Sequence, residues 1–131
     1  ILLAVLMCYV ALVWGECPSK CHCSRYNTLC SFARLNTVPS GLPNTTQLVR
    51  VHQDHIPLLN KSIISHLHNI TCLQLDHVRL QRIEPKTFSM LNNLRLLTIT
   101  HNNLTTLHAH TFNFLPNLNF LNLSTNQITK D

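Results

Sequence analysis

The sequence predicts an α/β repeat fold. Short strands pair in parallel along a solenoid, and a disulfide-stapled cap closes its N-terminal side. Two observations carry this. First, the phrase NLNFLNLSTNQI at 117–128 restates NLRLLTITHNNL at 93–104, so that Leu118, Leu121, Leu123, Asn126 and Ile128 fall on Leu94, Leu97, Ile99, Asn102 and Leu104. The same offset of twenty-four residues leads back to Ile70, Leu73, Leu75, Val78 and Leu80, and then to Thr46, Val49, Val51, Asp54 and Ile56. A period of this size marks units that bury their apolar faces only against their neighbours. Second, Cys17, Cys21, Cys23 and Cys30 cluster just ahead of the first unit. With 131 residues the chain has room for one domain at most.

Taken in order, residues 1–15 are expected to be a secretory signal. Ile1 to Trp14 is almost wholly apolar and uncharged. The run is short of the ~20 apolar residues a membrane span needs, and Val13-Trp14-Gly15 offers a small-residue cleavage site. An uncleaved anchor is the alternative. The chain opens on Ile with no basic leader, so it is expected to have lost its first residues. Cys8 leaves with the signal.

Residues 16–45 form the cap. In the oxidising compartment that a signal implies, four close cysteines read as two disulfides rather than as a zinc site. We expect a small hairpin flanking a polar turn at Ser24 to Thr28. Three pairings are open to four cysteines, and spacing does not choose among them. Leu35, Val38 and Leu42 are spaced as inward residues, with Pro39, Gly41 and Pro43 punctuating turns.

The repeats occupy 46–131, as 46–69, 70–93, 94–117 and a truncated 118–131. Along Leu118 to Ser124 side chains alternate across a strand, so Leu121 and Leu123 face inward while Phe120, Asn122 and Ser124 face out. Phe88 and Phe112 are expected to fill the convex side, with Ile64 in their place in the first repeat. Asn102 and Asn126 are expected to satisfy buried backbone groups at the turn off the strand, because an amide both donates and accepts. Asp54 and Val78 break that column, which predicts looser or displaced turns after the first two strands and a gain in stability for Val78→Asn. The last repeat stops at Lys130-Asp131 before its convex half, so the sequence is expected to be a fragment.

The pattern L-x-x-L-x-L-x-x-N-x-L, together with C-x3-C-x-C-x6-C followed by L-x-x-V-P-x-x-L-P-x-x-T, resembles extracellular leucine-rich-repeat proteins with a cysteine-rich N-terminal cap. The likeness covers residues 17–131. Within the family the chain looks most like the platelet glycoprotein V and carboxypeptidase N regulatory-subunit group. The resemblance implies pairing of first with third and second with fourth cysteine, that is Cys17–Cys23 and Cys21–Cys30. It also implies the family's twenty-four-residue typical repeat class.

Outward strand positions form columns: Leu48, Cys72, Leu96 and Phe120; Arg50, Gln74, Thr98 and Asn122; His52, Asp76, Thr100 and Ser124. Beside them run Gln53, His77, His101 and Thr125. An apolar stripe next to a polar face suits protein recognition. Leu48, Arg50, His52, Gln74, Asp76, Leu96, Thr98 and Phe120 are therefore the candidate ligand contacts on the concave face. The alternative is a bare solenoid edge, with ligand bound in repeats beyond the sequence. Cys72, the odd cysteine, is expected to pack as a small hydrophobe rather than act as a free or bridging thiol.

Sequons at Asn44, Asn60, Asn69, Asn103 and Asn122 predict glycosylation, and a glycan on Asn122 would obstruct part of the concave face. Nine histidines raise a metal site, with His77 and His101 in adjacent repeats and Asp76 and His52 nearby. Without a recognised ligand spacing a surface pair is the reading taken, and neither metal nor cofactor is expected. Only Gly15 and Gly41 occur, which excludes glycine-rich phosphate loops. The five acids form no evident pair and no G-x-S-x-G motif is present, so no enzyme is expected.

The ten basic residues behind the net charge of +5 are scattered rather than blocked. Weak affinity for anionic glycans is compatible with that; nucleic acid as a partner is not. The expected function is an extracellular protein-recognition module, the N-terminal part of a receptor or adhesion protein, either secreted or a cell-surface ectodomain. Membrane attachment could then come from a segment C-terminal to the sequence. Alternatives are a secreted matrix or carrier subunit and an innate immune recognition protein.

Overall fold

The computed structural model describes residues 16–129; the signal segment expected at 1–15 lies outside the described residues. Its organising element is one six-stranded sheet in the order β1 (Cys21–Cys23), β2 (Asn27–Ser31), β3 (Leu48–His52), β5 (Cys72–Asp76), β7 (Leu96–Thr100) and β8 (Phe120–Asn122), while β4 (Leu58–Leu59) and β6 (Arg82–Ile83) lie outside it. The repeats supply β3 (Leu48–His52), β5 (Cys72–Asp76), β7 (Leu96–Thr100) and β8 (Phe120–Asn122), all parallel. Their registers are Leu48↔Cys72, Cys72↔Leu96 and Leu96↔Phe120, so the twenty-four-residue period is the strand register itself.

Alternation makes these strands. Val49 and Val51, Leu73 and Leu75, and Leu97 and Ile99 are fully buried, while their neighbours face outward. β-branched and leucine side chains on one face of a pleated strand pack well against the same positions of the next repeat. Phe88 and Ile64 are fully buried on the convex side, and Phe88 stacks on half-buried Phe112 at a centroid distance of 5.9 Å. Among the described residues only the first repeat builds a helix there, α1 (Lys61–Ile64), followed by a 3₁₀ turn at Ser65–Leu67. Its N-cap is Asn60, whose Oδ1 accepts from the Ile63 N–H. The later repeats cross the convex side in turns. A second small sheet pairs β4 (Leu58–Leu59) with β6 (Arg82–Ile83).

The cap is part of the main sheet. β1 (Cys21–Cys23) and β2 (Asn27–Ser31) form a hairpin, and β2 runs parallel to β3 with Asn27 opposite Leu48. The polar turn is shorter than expected: it closes with Ser24 N–H donating to the Asn27 carbonyl, and Thr28 is a buried strand residue. The bridges are Cys17–Cys23 and Cys21–Cys30, the pairing the resemblance implies. Val38 is buried; Leu35 and Leu42 are half-buried against the core.

Each repeat leaves its strand through a left-handed residue at the same position: Gln53, His77, His101 and Thr125, with φ between 53° and 57°. The asparagine column then serves the turn of the repeat before it. Asn102 Oδ1 accepts from the N–H groups of Val78 and Leu80, and its Nδ2 donates to the carbonyls of Leu75 and Thr100. Asn126 repeats the pattern on Leu104 N–H and the Ile99 and Leu123 carbonyls.

The expectation that Val78 strands backbone groups is corrected here. The Ile56 N–H, which an asparagine side chain would receive, donates to the Val78 carbonyl at 2.8 Å. Arg79 takes a second positive φ, 56°, so the turn is displaced and the main chain stands in for the missing amide. Asp54 uses its carboxylate as a pure acceptor, taking the N–H of Leu35 from the cap linker and that of His55.

Candidate functional site

The outward columns assemble on the concave face as the alternation requires. Arg50 and Phe120 are exposed, with Phe120 at 51%. Leu48, Leu96, His52, Gln74, Asp76, Thr98 and Asn122 are half-buried, partly covered by their neighbours in the adjacent strands. All eight candidate contacts therefore share one surface. Cys72 sits between Leu48 and Leu96 in the apolar column; it is unbridged, half-buried, and burial pushes its thiol pKa up. A neutral thiol there packs as an apolar group.

The sequence did not reveal that β2 extends this face. Leu29 stands opposite Arg50 and is 42% exposed, and Phe32, just beyond the strand, is 69% exposed. The offset from β2 to β3 is twenty-one residues rather than twenty-four, so the repeat phrase gives no cue to it. Phe32 also lines a shallow groove at the edge of the sheet with Gln53, Asp54, His77, Arg79, His101 and Asn103.

The polar centre of the face is Asp76. Three imidazoles from three repeats converge on it: His52 Nδ1 lies 2.9 Å and His77 Nδ1 3.2 Å from Oδ2, and His101 Nδ1 lies 3.1 Å from Oδ1. The Thr100 hydroxyl donates to Oδ1 at 2.7 Å. His77 and His101 stack with centroids 4.4 Å apart, and His52 meets His77 edge-on. Burial works to raise the Asp76 pKa. The hydrogen bonds from Thr100, His77 and His101, with the charge of His77, outweigh it and hold the carboxyl down to about 2. The sequence placed His77 and His101 in one column; the left-handed turn residues are what swing both rings toward Asp76. The convex His66 stands apart, its Nε2–H donating to the Pro39 carbonyl and tying the cap linker to the first repeat.

Among the sequons, Asn44, Asn69 and Asn103 are exposed. Asn60 engages its Oδ1 in capping α1, and Asn122 directs its Oδ1 to the Ser124 N–H. Among the described residues, no helix is long and apolar enough to cross a membrane.

Comparison with known proteins places this arrangement. The family description "Leucine rich repeat" matches residues 59–128. The chain is 33% identical over 72 residues to a chondroadherin-like protein of Mus musculus, covering 53% of this chain and 10% of that protein. It is 32% identical over 62 residues to leucine-rich repeat-containing protein 4 of Homo sapiens, covering 46% and 10%. With leucine-rich repeat-containing protein 3B of Danio rerio the identity is 28% over 94 residues, covering 66% and 36%. The chain thus spans between a tenth and about a third of the length of these relatives.

Proposed function

Since the chain belongs to the leucine-rich-repeat family, we propose that it is an extracellular protein-recognition module that binds a protein ligand on its concave face. The observation that carries this is the continuous outward surface of five parallel strands. An apolar column of Leu48, Cys72, Leu96 and Phe120 runs beside Arg50, Gln74 and Thr98 and the Asp76 centre, and the cap adds Leu29. Aromatic and arginine anchors within a polar surround are the side chains that concentrate binding energy in interfaces. The rigidity of a paired sheet holds them in place at little entropic cost on binding.

Two features support an extracellular setting. Cys17–Cys23 and Cys21–Cys30 are bridged, and such bridges persist in oxidising compartments. The exposed sequons at Asn44, Asn69 and Asn103 fit a glycosylated surface. Asn60 and Asn122 are half-buried, and a glycan on Asn122 would cover the face beside Phe120. Glycopeptide mapping is expected to find Asn122 unmodified, and full occupancy would move the ligand surface toward the cap.

The test is a binding screen of the multimerised chain against a panel of extracellular ectodomains. For any partner found, Phe120→Ala and Arg50→Ala should each weaken binding by more than about fivefold, the ~1 kcal/mol that marks an interface contact. Lys61→Ala, on the convex side, should not. A partner lost with Lys61→Ala and indifferent to the other two would overturn the concave reading.

A further inference from the structure

Asp76 and its histidines form a constellation that protein recognition alone does not require. We propose that His52, Asp76 and His77 bind a divalent transition-metal ion, zinc being the one whose geometry they match, with His101 beside them to complete or replace a ligand.

The donor set is the first argument. Two imidazole nitrogens and one carboxylate oxygen suit zinc, copper or nickel; calcium and magnesium need several oxygen donors, and the site offers one carboxylate. The second argument is geometry. A tetrahedral zinc with bonds of about 2.0 Å holds its ligand atoms about 3.3 Å apart. His52 Nδ1 and His77 Nδ1 already lie 2.9 Å and 3.2 Å from the same oxygen, Asp76 Oδ2, and all three ligand atoms fall within 4.8 Å of one another. The remaining edge, between the two imidazoles, is at most 4.8 Å.

The support around the donors is the third argument. Thr100 holds the other carboxylate oxygen at 2.7 Å, and hydrogen-bonded orientation of a ligating carboxylate is what strengthens a metal site. The stacked His77 and His101 rings fix each other's planes. Coordination through Nδ1 takes each ligating ring as the neutral imidazole, with its proton on Nε2 and the Nδ1 lone pair turned to the ion. Three protein ligands leave a fourth position, which His101 reaches by leaving Oδ1 or which water fills.

Sequence spacing puts His77 and His101 in one column with Asp76 and His52 nearby, and a surface pair is the reading it favours. Three strands and two left-handed turns convert that pair into a convergent triad with a charged centre.

The experiment is a calorimetric titration of the chelator-stripped chain with zinc chloride, followed by thermal melting across the zinc range. One equivalent should bind, and the melting midpoint should rise with zinc concentration, because an ion that binds only the folded state stabilises it. Asp76→Asn and His77→Gln should each weaken binding by more than about tenfold. The equivalent turn position in the preceding repeat is Gln53, with φ 53° against 54° at His77, so glutamine keeps the fold there. His108→Gln, which alters the separate His108–His110 pair, should leave binding unchanged. In the unsubstituted chain, the imidazole nitrogen resonances of His52 and His77 should shift together at one equivalent. A flat titration to millimolar zinc overturns the proposal. Equal affinity in His77→Gln does so too, as do shifts confined to His108 and His110.

Discussion

At the residue scale, Asn102 satisfies backbone groups of two repeats with one side chain. Its amide meets two N–H groups and two carbonyls, and it is 6% exposed. Asn102→Ala should cost at least about 2 kcal/mol, since each buried backbone group left without a partner costs about 1–3 kcal/mol. Chemical denaturation reads this directly. Val78→Asn should behave differently. The Val78 carbonyl already serves Ile56, so a new amide competes with an existing bond inside a fully buried pocket. Its effect should stay within about 1 kcal/mol of zero, the net worth of one exchanged hydrogen bond. A larger gain would restore the view that the turn there lacks satisfaction. The asparagine column was legible because an amide recurring every twenty-four residues has no solvent-facing explanation. The repair at Val78 was not, because it is made by a peptide plane, and no side chain reports the orientation of its own carbonyl.

At the element scale, the strands are legible from alternation while the convex crossings are not. Leu73, Leu75, Leu97 and Ile99 have to face inward for the chain to bury anything, so pattern and structure agree. The convex segments carry no such constraint: α1 spans four residues, and the next two crossings are turns. What unites them is the Ile64, Phe88 and Phe112 column, which fills the space behind the sheet whatever the local backbone does. Phe88→Ala should therefore cost about 3–5 kcal/mol, the range for emptying a buried aromatic position. Phe112→Ala should cost clearly less, because Phe112 is only half-buried. Equal losses in denaturant midpoint would mean that the two rings act as one stacked unit. The site was legible to the same degree as the strands. Columns of outward residues follow from register, whereas the convergence on Asp76 depends on side-chain directions set by left-handed turns that neither glycine nor a fixed residue type announces.

At the scale of the whole molecule, the cap and the repeats are one sheet. β2 is hydrogen-bonded to β3 over five residue pairs, and the Cys21–Cys30 bridge joins β2 to β1. Replacing Cys21 and Cys30 by serine should lower stability by about 2–4 kcal/mol, the usual worth of a bridge. The melt should remain a single transition shifted down in temperature, because the cap shares its ladder with the first repeat. Two resolved transitions would mean that cap and stack fold as separate cooperative units. The cap's place in the sheet was the largest feature not readable in advance. Its strand obeys the same alternation, with Thr28 and Cys30 inward and Leu29 outward, but the change of offset to twenty-one hides it from any search for the repeat.

The asparagine column also gives the solenoid a polarity. Because Asn102 closes the turn that follows β5, and Asn126 the one that follows β7, the N–H groups of each of these turns are held by the next repeat. Damage therefore travels backward along the chain. A lesion at position 102 is felt first in the amides of Val78 and Leu80, whose hydrogen exchange quickens while strands closer to the lesion stay protected. The molecule behaves like a row of latches, each held shut from one side, and it opens from the side that holds them.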